Sequence, residues 1–167
     1  MIATGRRLSA RLFAVVALGA AATALAAVDD RGVCGAQPPK PETIAACTRI
    51  IASIQTSAHD RSLAHLFRAL AKRAHDDIAG ALADDSEAIK LDPTNATAYR
   101  NRGALFVDAG ELTHAIADFD RAVSIDPNDA LALYRRGQAK RKSGDTAGGD
   151  ADIAAAKALK PDIADAP

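Results

Sequence analysis

Two cysteines, four histidines and a few paired aspartates are the groups in this 167-residue chain best able to do chemistry. Cys34 and Cys47 stand alone, with no histidine near enough in sequence to suggest a metal site. An even pair suits a disulfide in an exported chain. Two free thiols, with Cys47 packed on an apolar face, are the alternative. A bridge would tie the irregular stretch CGAQPPKP to the following helix and stabilise the fold by ~3 kcal/mol. His59, His65, His75 and His114 show no metal-binding helical spacing, and each reads as solvent-facing. Asp76–Asp77 and Asp84–Asp85 read as carboxylates at helix starts or on exposed faces, with dipole and solubility roles. The stretch SGDTAGGD, Ser143 to Asp150, looks superficially like a phosphate loop. It lacks the Lys-Ser/Thr pair that would hold phosphate and magnesium. No catalytic set emerges, so the expectation is a protein that is not an enzyme, with no cofactor and no metal.

The elements that must position these groups are helical. The hydrophobic share is 49% with only 4% aromatics and no Trp, which favours close helix packing over an aromatic core. The N-terminus stands apart. Arg6, Arg7 and Arg11 precede an apolar run from Leu12 to about Leu25, and Ala24 and Ala26 form an A-x-A pattern. This reads as a secretory signal peptide over 1–26, with an uncleaved membrane anchor as the alternative. The run is shorter than the ~20 residues that comfortably span a bilayer. Cleavage would remove three arginines and no acid, taking the net charge from +0 to −3. A mildly acidic chain has no global pull toward nucleic acid or an anionic membrane. The expected location is the periplasm or the exterior, with no membrane insertion after cleavage.

Past the leader the sequence repeats itself. Pro93, Pro127 and Pro161 are 34 residues apart. Ala96 to Pro127 aligns with Ala130 to Pro161, each copy dividing into two helical halves. Tyr99, Gly103 and Phe106 share one helical face; Ala115, Phe119, Ala122 and Ile125 share another. Gly110 ends the first half, and Asp126-Pro127 stops the second. Asn95 and Asp129 can cap the helices that follow them. Gly103 recurs as Gly137, a costly mid-helix choice that a close helix crossing would explain. A weaker copy spans Ser62 to Pro93. Its apolar stripe of Leu63, Leu66, Phe67 and Leu70 sits one or two places off register, as though a residue were missing near His75-Asp76-Asp77. Thr43 to Ser53 resembles Ala115 to Ile125 and reads as a half repeat that covers this stripe.

This pattern resembles the tetratricopeptide repeat, a 34-residue helix–turn–helix unit, in a small exported bacterial type. Tyr99, Gly103, Phe106, Ala115, Phe119, Ala122 and Pro127 match signature positions. So do Leu133, Gly137, Ile153, Ala156 and Pro161. Lys140 stands where an aromatic is usual, and Gly149 where Ala is usual; with Gly148, it should make the last helix the least stable. The resemblance implies an all-α solenoid of about three repeats, 61–93, 94–127 and 128–161. A lead-in with the half-repeat helix (27–60) precedes them, and a short tail (162–167) follows.

In similar repeats the first helix of each pair lines a concave surface. The residues expected there are Thr97, Arg100, Asn101, Ala104 and Asp108, then Leu131, Tyr134, Arg135, Gln138, Arg141 and Lys142. That surface is net basic and suits a protein or peptide partner with acidic groups. Some family members clamp a terminal carboxylate. Asn101 and Arg135 occupy two of the matching places, but Leu66, Leu70 and Leu131 stand where Lys, Asn and Lys would be required, so that clamp is not supported. The expected function is a non-catalytic scaffold or adaptor that binds protein or peptide outside the cytoplasm. The alternative is a structural envelope or assembly subunit that self-associates through an uncapped end. An enzyme with an unrecognised site ranks below both.

Overall fold

The computed structural model describes residues 30–163. The expected signal segment, 1–26, and residues 164–167 of the tail lie outside the described residues. Among the described residues, seven helices follow a short helical stretch at 30–34. They are α1 (Thr43–Ala52), α2 (Ala58–Ala74), α3 (Ile78–Leu91), α4 (Ala96–Asp108), α5 (Leu112–Ile125), α6 (Ala130–Lys142) and α7 (Thr146–Leu159). α2/α3, α4/α5 and α6/α7 pack as pairs, and the second helix of each pair also packs on the first helix of the next. The chain is an all-α solenoid, with α1 packed on α2 at its N-terminal end.

Local chemistry sets the helix boundaries. Side-chain oxygens of Ser57, Asp77, Asn95, Asp129 and Asp145 accept backbone N–H groups at the starts of α2, α3, α4, α6 and α7. Within each pair the chain turns through one left-handed residue: Asp76 (φ 60°), Gly110 (φ 78°) and Gly144 (φ 99°). These three positions keep the 34-residue interval, so no residue is missing near His75-Asp76-Asp77. The apolar stripe of the first copy is wider than that of the later ones because it faces two ways: Leu63 lines a depression with Arg31, Cys34 and Ile50, and Phe67 packs both on the N-terminal segment and on the Leu66–Ala88 cluster of its own pair. Phe67 joins the cluster of Cys34, Ala46, Cys47, Ile50 and Ala64, and its ring lies beside Gly35.

Cys34 and Cys47 form a disulfide, and both are buried. It fixes the 30–34 stretch against α1. The Thr43 hydroxyl reinforces this by donating to the Val33 carbonyl at 3.3 Å.

The core is built largely from alanine. Ala46, Ala71, Ala81, Ala88, Ala98, Ala115, Ala122, Ala132, Ala139 and Ala156 are fully buried, while Phe119 is the one aromatic so enclosed among the described residues. Helices therefore approach closely. A Cβ at Gly103 would lie 2.9 Å from Phe119 Cε1. One repeat later the approach is closer still: Gly149 faces the Gly137 carbonyl across the α6/α7 crossing, and Cβ atoms there would come within 2.7 Å of backbone oxygens. Gly149 thus fits a backbone-to-backbone contact that Ala could not enter unchanged.

Beneath the alanines runs a periodic charge ladder. Arg68, Arg102 and Arg136 each grip the aspartate 16 residues on, with Nε donating to Oδ2 of Asp84 (2.9 Å), Asp118 (2.8 Å) and Asp152 (2.7 Å). A second nitrogen of each guanidinium donates to the other carboxylate oxygen, completing two-point pairing. The third nitrogen reaches the helix packed before the pair, at Thr48 on α1, Ser86 on α3 and Asp120 on α5. Each arginine therefore joins its own pair to the helix before it. Lys140, at the place of Phe106, donates to Asp152 at 2.9 Å, and Lys72 does the same for Asp84 at 2.8 Å. Where the middle repeat stacks Phe106, the outer two supply a second cation.

Two expectations fail in this ladder. His65 is not solvent-facing: it is buried and hydrogen-bonded to Asp84 Oδ1 at 2.8 Å. Asp84 and Asp85 are not on an exposed face; they are 3% and 1% exposed. Burial pushes the Asp84 carboxyl up, but hydrogen bonds from His65, Arg68 and Lys72 outweigh it and hold the group well below the usual carboxylate range. Among the described residues Asp85 has no such partners, and its Oδ1 accepts no hydrogen bond. Burial raises its pKa to about 8; Arg102 opposes this, and Asp84 and Asp118 add to it.

Candidate functional site

The first helices of the pairs line a groove of about 240 Å³. α2 contributes Arg73, α4 contributes Ala104, Val107 and Asp108, and α6 contributes Arg135, Gln138, Ala139 and Lys142, with Phe119 of α5 at the base. The geometry follows from the solenoid: residues one period apart stand side by side on adjacent first helices. Alanines and Phe119 form an apolar floor, and the polar groups surround it.

The groove brings together Ala104, Asp108, Arg135, Gln138 and Lys142 from the expected set, and adds Arg73. Sequence reasoning missed Arg73 because the first repeat seemed out of register. The other expected residues lie elsewhere. Thr97, Arg100 and Leu131 line a separate depression of about 410 Å³ that also includes Asp126, Asn128 and Lys160. Arg100 is occupied there by an ion pair with Asp129. Asn101 is half-buried and lines neither cavity; its Nδ2 has no hydrogen-bond partner among the described residues. Tyr134 packs against the cluster of Leu133, Ala156 and Ile163. Arg141 turns toward α7, where its stem covers Gly149 and its Nε lies 3.5 Å from Asp150. Leu66 is buried against Ala88 and Ala98 with Leu70 beside it, which makes both core residues.

The cations of the groove differ in state. Arg73 donates to Asp108 at 2.8 Å. Arg135 is half-buried and has neither hydrogen bond nor ion pair among the described residues. Burial, then repulsion from Arg73 and Arg100, depress its proton affinity; Asp108 and Asp129 act in the opposite sense. A guanidinium nonetheless keeps its charge. Every other half-buried arginine among the described residues is partnered: Arg61 by the Thr56 carbonyl, the rest by carboxylates. A partly desolvated cation without an anion is unfavourable, and one carboxylate from a ligand would relieve it.

Among the described residues, no group of His, Cys, Asp or Glu is placed to hold a metal ion. None of the described helices is long and apolar enough to cross a membrane.

No curated protein matches the chain. A family profile described as TPR repeat matches residues 104–144. Among solved structures, the Arabidopsis OM64 TPR domain is 30% identical, with a TM-score of 0.61, over 63% of this chain and 87% of that one. MamA is 22% identical, with a TM-score of 0.64, over 75% of this chain and 71% of that one. The second TPR of Spaghetti (RPAP3), bound to the HSP90 peptide SRMEEVD, is 20% identical, with a TM-score of 0.58, over 59% of this chain and 92% of that one. The last two likenesses are of fold alone. The 34-residue helix pairs, the signature positions and the OM64 match place this chain in the tetratricopeptide repeat family.

Proposed function

We propose that this chain is a non-catalytic binding module whose groove holds an acidic segment of a protein or peptide. The unpaired Arg135 carries the reading. It offers a two-point carboxylate donor above an apolar floor, with Gln138 and Lys142 beside it. The HSP90 peptide held by the Spaghetti domain is itself acidic. In this chain the leucines at 66, 70 and 131 argue for a side-chain carboxylate as ligand rather than a clamped chain terminus.

An array of end-blocked 12-residue peptides, half carrying a Glu-Glu pair and half Gln-Gln, tests this. The full chain should retain the Glu-Glu set selectively, and Arg135→Ala should lose it. Equal retention of both sets, or no effect of Arg135→Ala, would overturn the groove assignment.

We place the protein outside the cytoplasm. The basic, apolar and A-x-A order of residues 1–26 supports export, and the Cys34–Cys47 bridge suits an oxidising compartment. N-terminal sequencing of the native protein should start at Ala27; a start at Met1 in membrane fractions would favour an anchor. Self-association is the second reading, favoured by the half-exposed Leu159 among the exposed alanines 154, 155 and 158 on α7. A strict monomer at micromolar concentration in mass photometry would exclude it.

A further inference from the structure

Asp108 lies in the groove as an anion of the protein's own, gripping Arg73 beside the unpaired Arg135. We propose that Asp108 is a built-in competitor: it occupies Arg73 in the free protein and yields it to the second carboxylate of a ligand whose first carboxylate binds Arg135. The inference rests on the groove reading above and adds to it the ligand's stoichiometry, two adjacent acidic side chains.

Three observations carry it. The first is the contrast with the charge ladder. Asp84, Asp118 and Asp152 are 4–10% exposed in their side chains and each is gripped at two points, as fixed structural pairs are. Asp108 and Arg73 are 49% and 36% exposed and share a single hydrogen bond. Exposed pairs of this kind contribute little, so they exchange readily.

The second is placement. Asp108 is the last residue of α4. A carboxylate is disfavoured there by the negative end of the helix dipole. One period earlier the position is Ala74, and one period later it is Lys142. Helix stability does not explain an aspartate at this point, whereas a role toward the facing arginines does.

The third is that the groove forms one electrostatic unit. Arg73 acts unfavourably on Arg135 and Asp108 acts favourably. Displacing Asp108 leaves three cations, Arg73, Arg135 and Lys142, facing one ligand. A single carboxylate satisfies Arg135 alone. A neighbouring second one gains Arg73 in place of Asp108.

Fluorescence anisotropy with the full chain and a labelled, end-blocked Glu-Glu peptide separates the possibilities. Asp108→Asn, nearly the same shape, should tighten binding three- to tenfold and widen the preference for Glu-Glu over Glu-Gln. Adding Arg73→Gln to Asp108→Asn should abolish that widened preference, which distinguishes release of Arg73 from simple loss of a repelling charge. Unchanged or weaker binding by Asp108→Asn, with wild type still binding, overturns the competitor role and leaves the groove reading standing. Binding by neither protein overturns both.

Discussion

At the scale of single residues, the informative groups are those whose environment does not match their charge. Arg135 is a cation without an anion, and Asp85 is a carboxyl in an apolar position. Asp85 stands one period before Phe119, so the first repeat holds a carboxyl where the second holds its most enclosed aromatic ring. An unfolded aspartate titrates near ~3.9, whereas folded Asp85 does so at about 8. Between those values the folded state holds a proton that the unfolded state lacks. Stability therefore falls as pH rises through that window and levels off above it, by up to the order of 5 kcal/mol. Thermal melts from pH 4 to 9 should show this slope in wild type and a flatter profile in Asp85→Asn. Parallel profiles would mean that Asp85 ionises freely in the fold. The sequence held the clue: Asp84-Asp85 looked like a solvated acidic pair, but alignment by period sets one on the ladder and the other in the place of Phe119.

At the scale of elements, the helix pairs are held by small residues and by the ladder, and the two respond differently to substitution. Arg102→Ala would leave Asp118 buried without its two-point partner and should cost about 3–5 kcal/mol. Replacing both residues by leucine should recover most of that loss, since a buried pair exchanged for apolar groups is often near neutral. Urea unfolding of Arg102→Leu, Asp118→Leu and the double variant measures the coupling; additive losses would contradict a shared role. Gly149→Ala gives a test of opposite intuition. Helix propensity alone favours Ala by ~1 kcal/mol, but the new Cβ meets the Gly137 carbonyl at 2.6 Å and the Arg141 stem at 2.4 Å. The variant should melt lower than wild type; a higher melting temperature would show that the crossing relaxes freely. Helix caps, stops and the paired glycines were legible because local chemistry sets them. The ladder was not legible, although Arg at 68, 102 and 136 and Asp at 84, 118 and 152 share the period, because a charged period reads the same for a buried ion pair as for a solvated helix face.

At the scale of the whole molecule, a repeat architecture converts sequence period into spatial adjacency. Residues 34 apart meet on neighbouring first helices, which is how Asp108 and Lys142 come to line one groove. The solenoid and its disulfide were readable from period and cysteine pairing. The groove was readable only in part. Lining a concave helix face does not decide whether a side chain meets a ligand, a neighbouring carboxylate or the next helix. Arg100, Tyr134 and Arg141 were all taken up by contacts within the protein, and the packed structure shows that Arg135 is the half-buried arginine left unpaired among the described residues. The most direct test is an NMR titration of the 15N-labelled full chain with an end-blocked Glu-Glu peptide, following backbone amides and arginine Nε–H signals together. The expected result is a shift of the Arg135 side-chain signal, joined by that of Arg73, with amide changes confined to the C-terminal ends of α2 and α4 and to α6 around Arg135–Lys142. Shifts centred on the Arg100 depression or on α7, with Arg135 unmoved, would contradict the central claim.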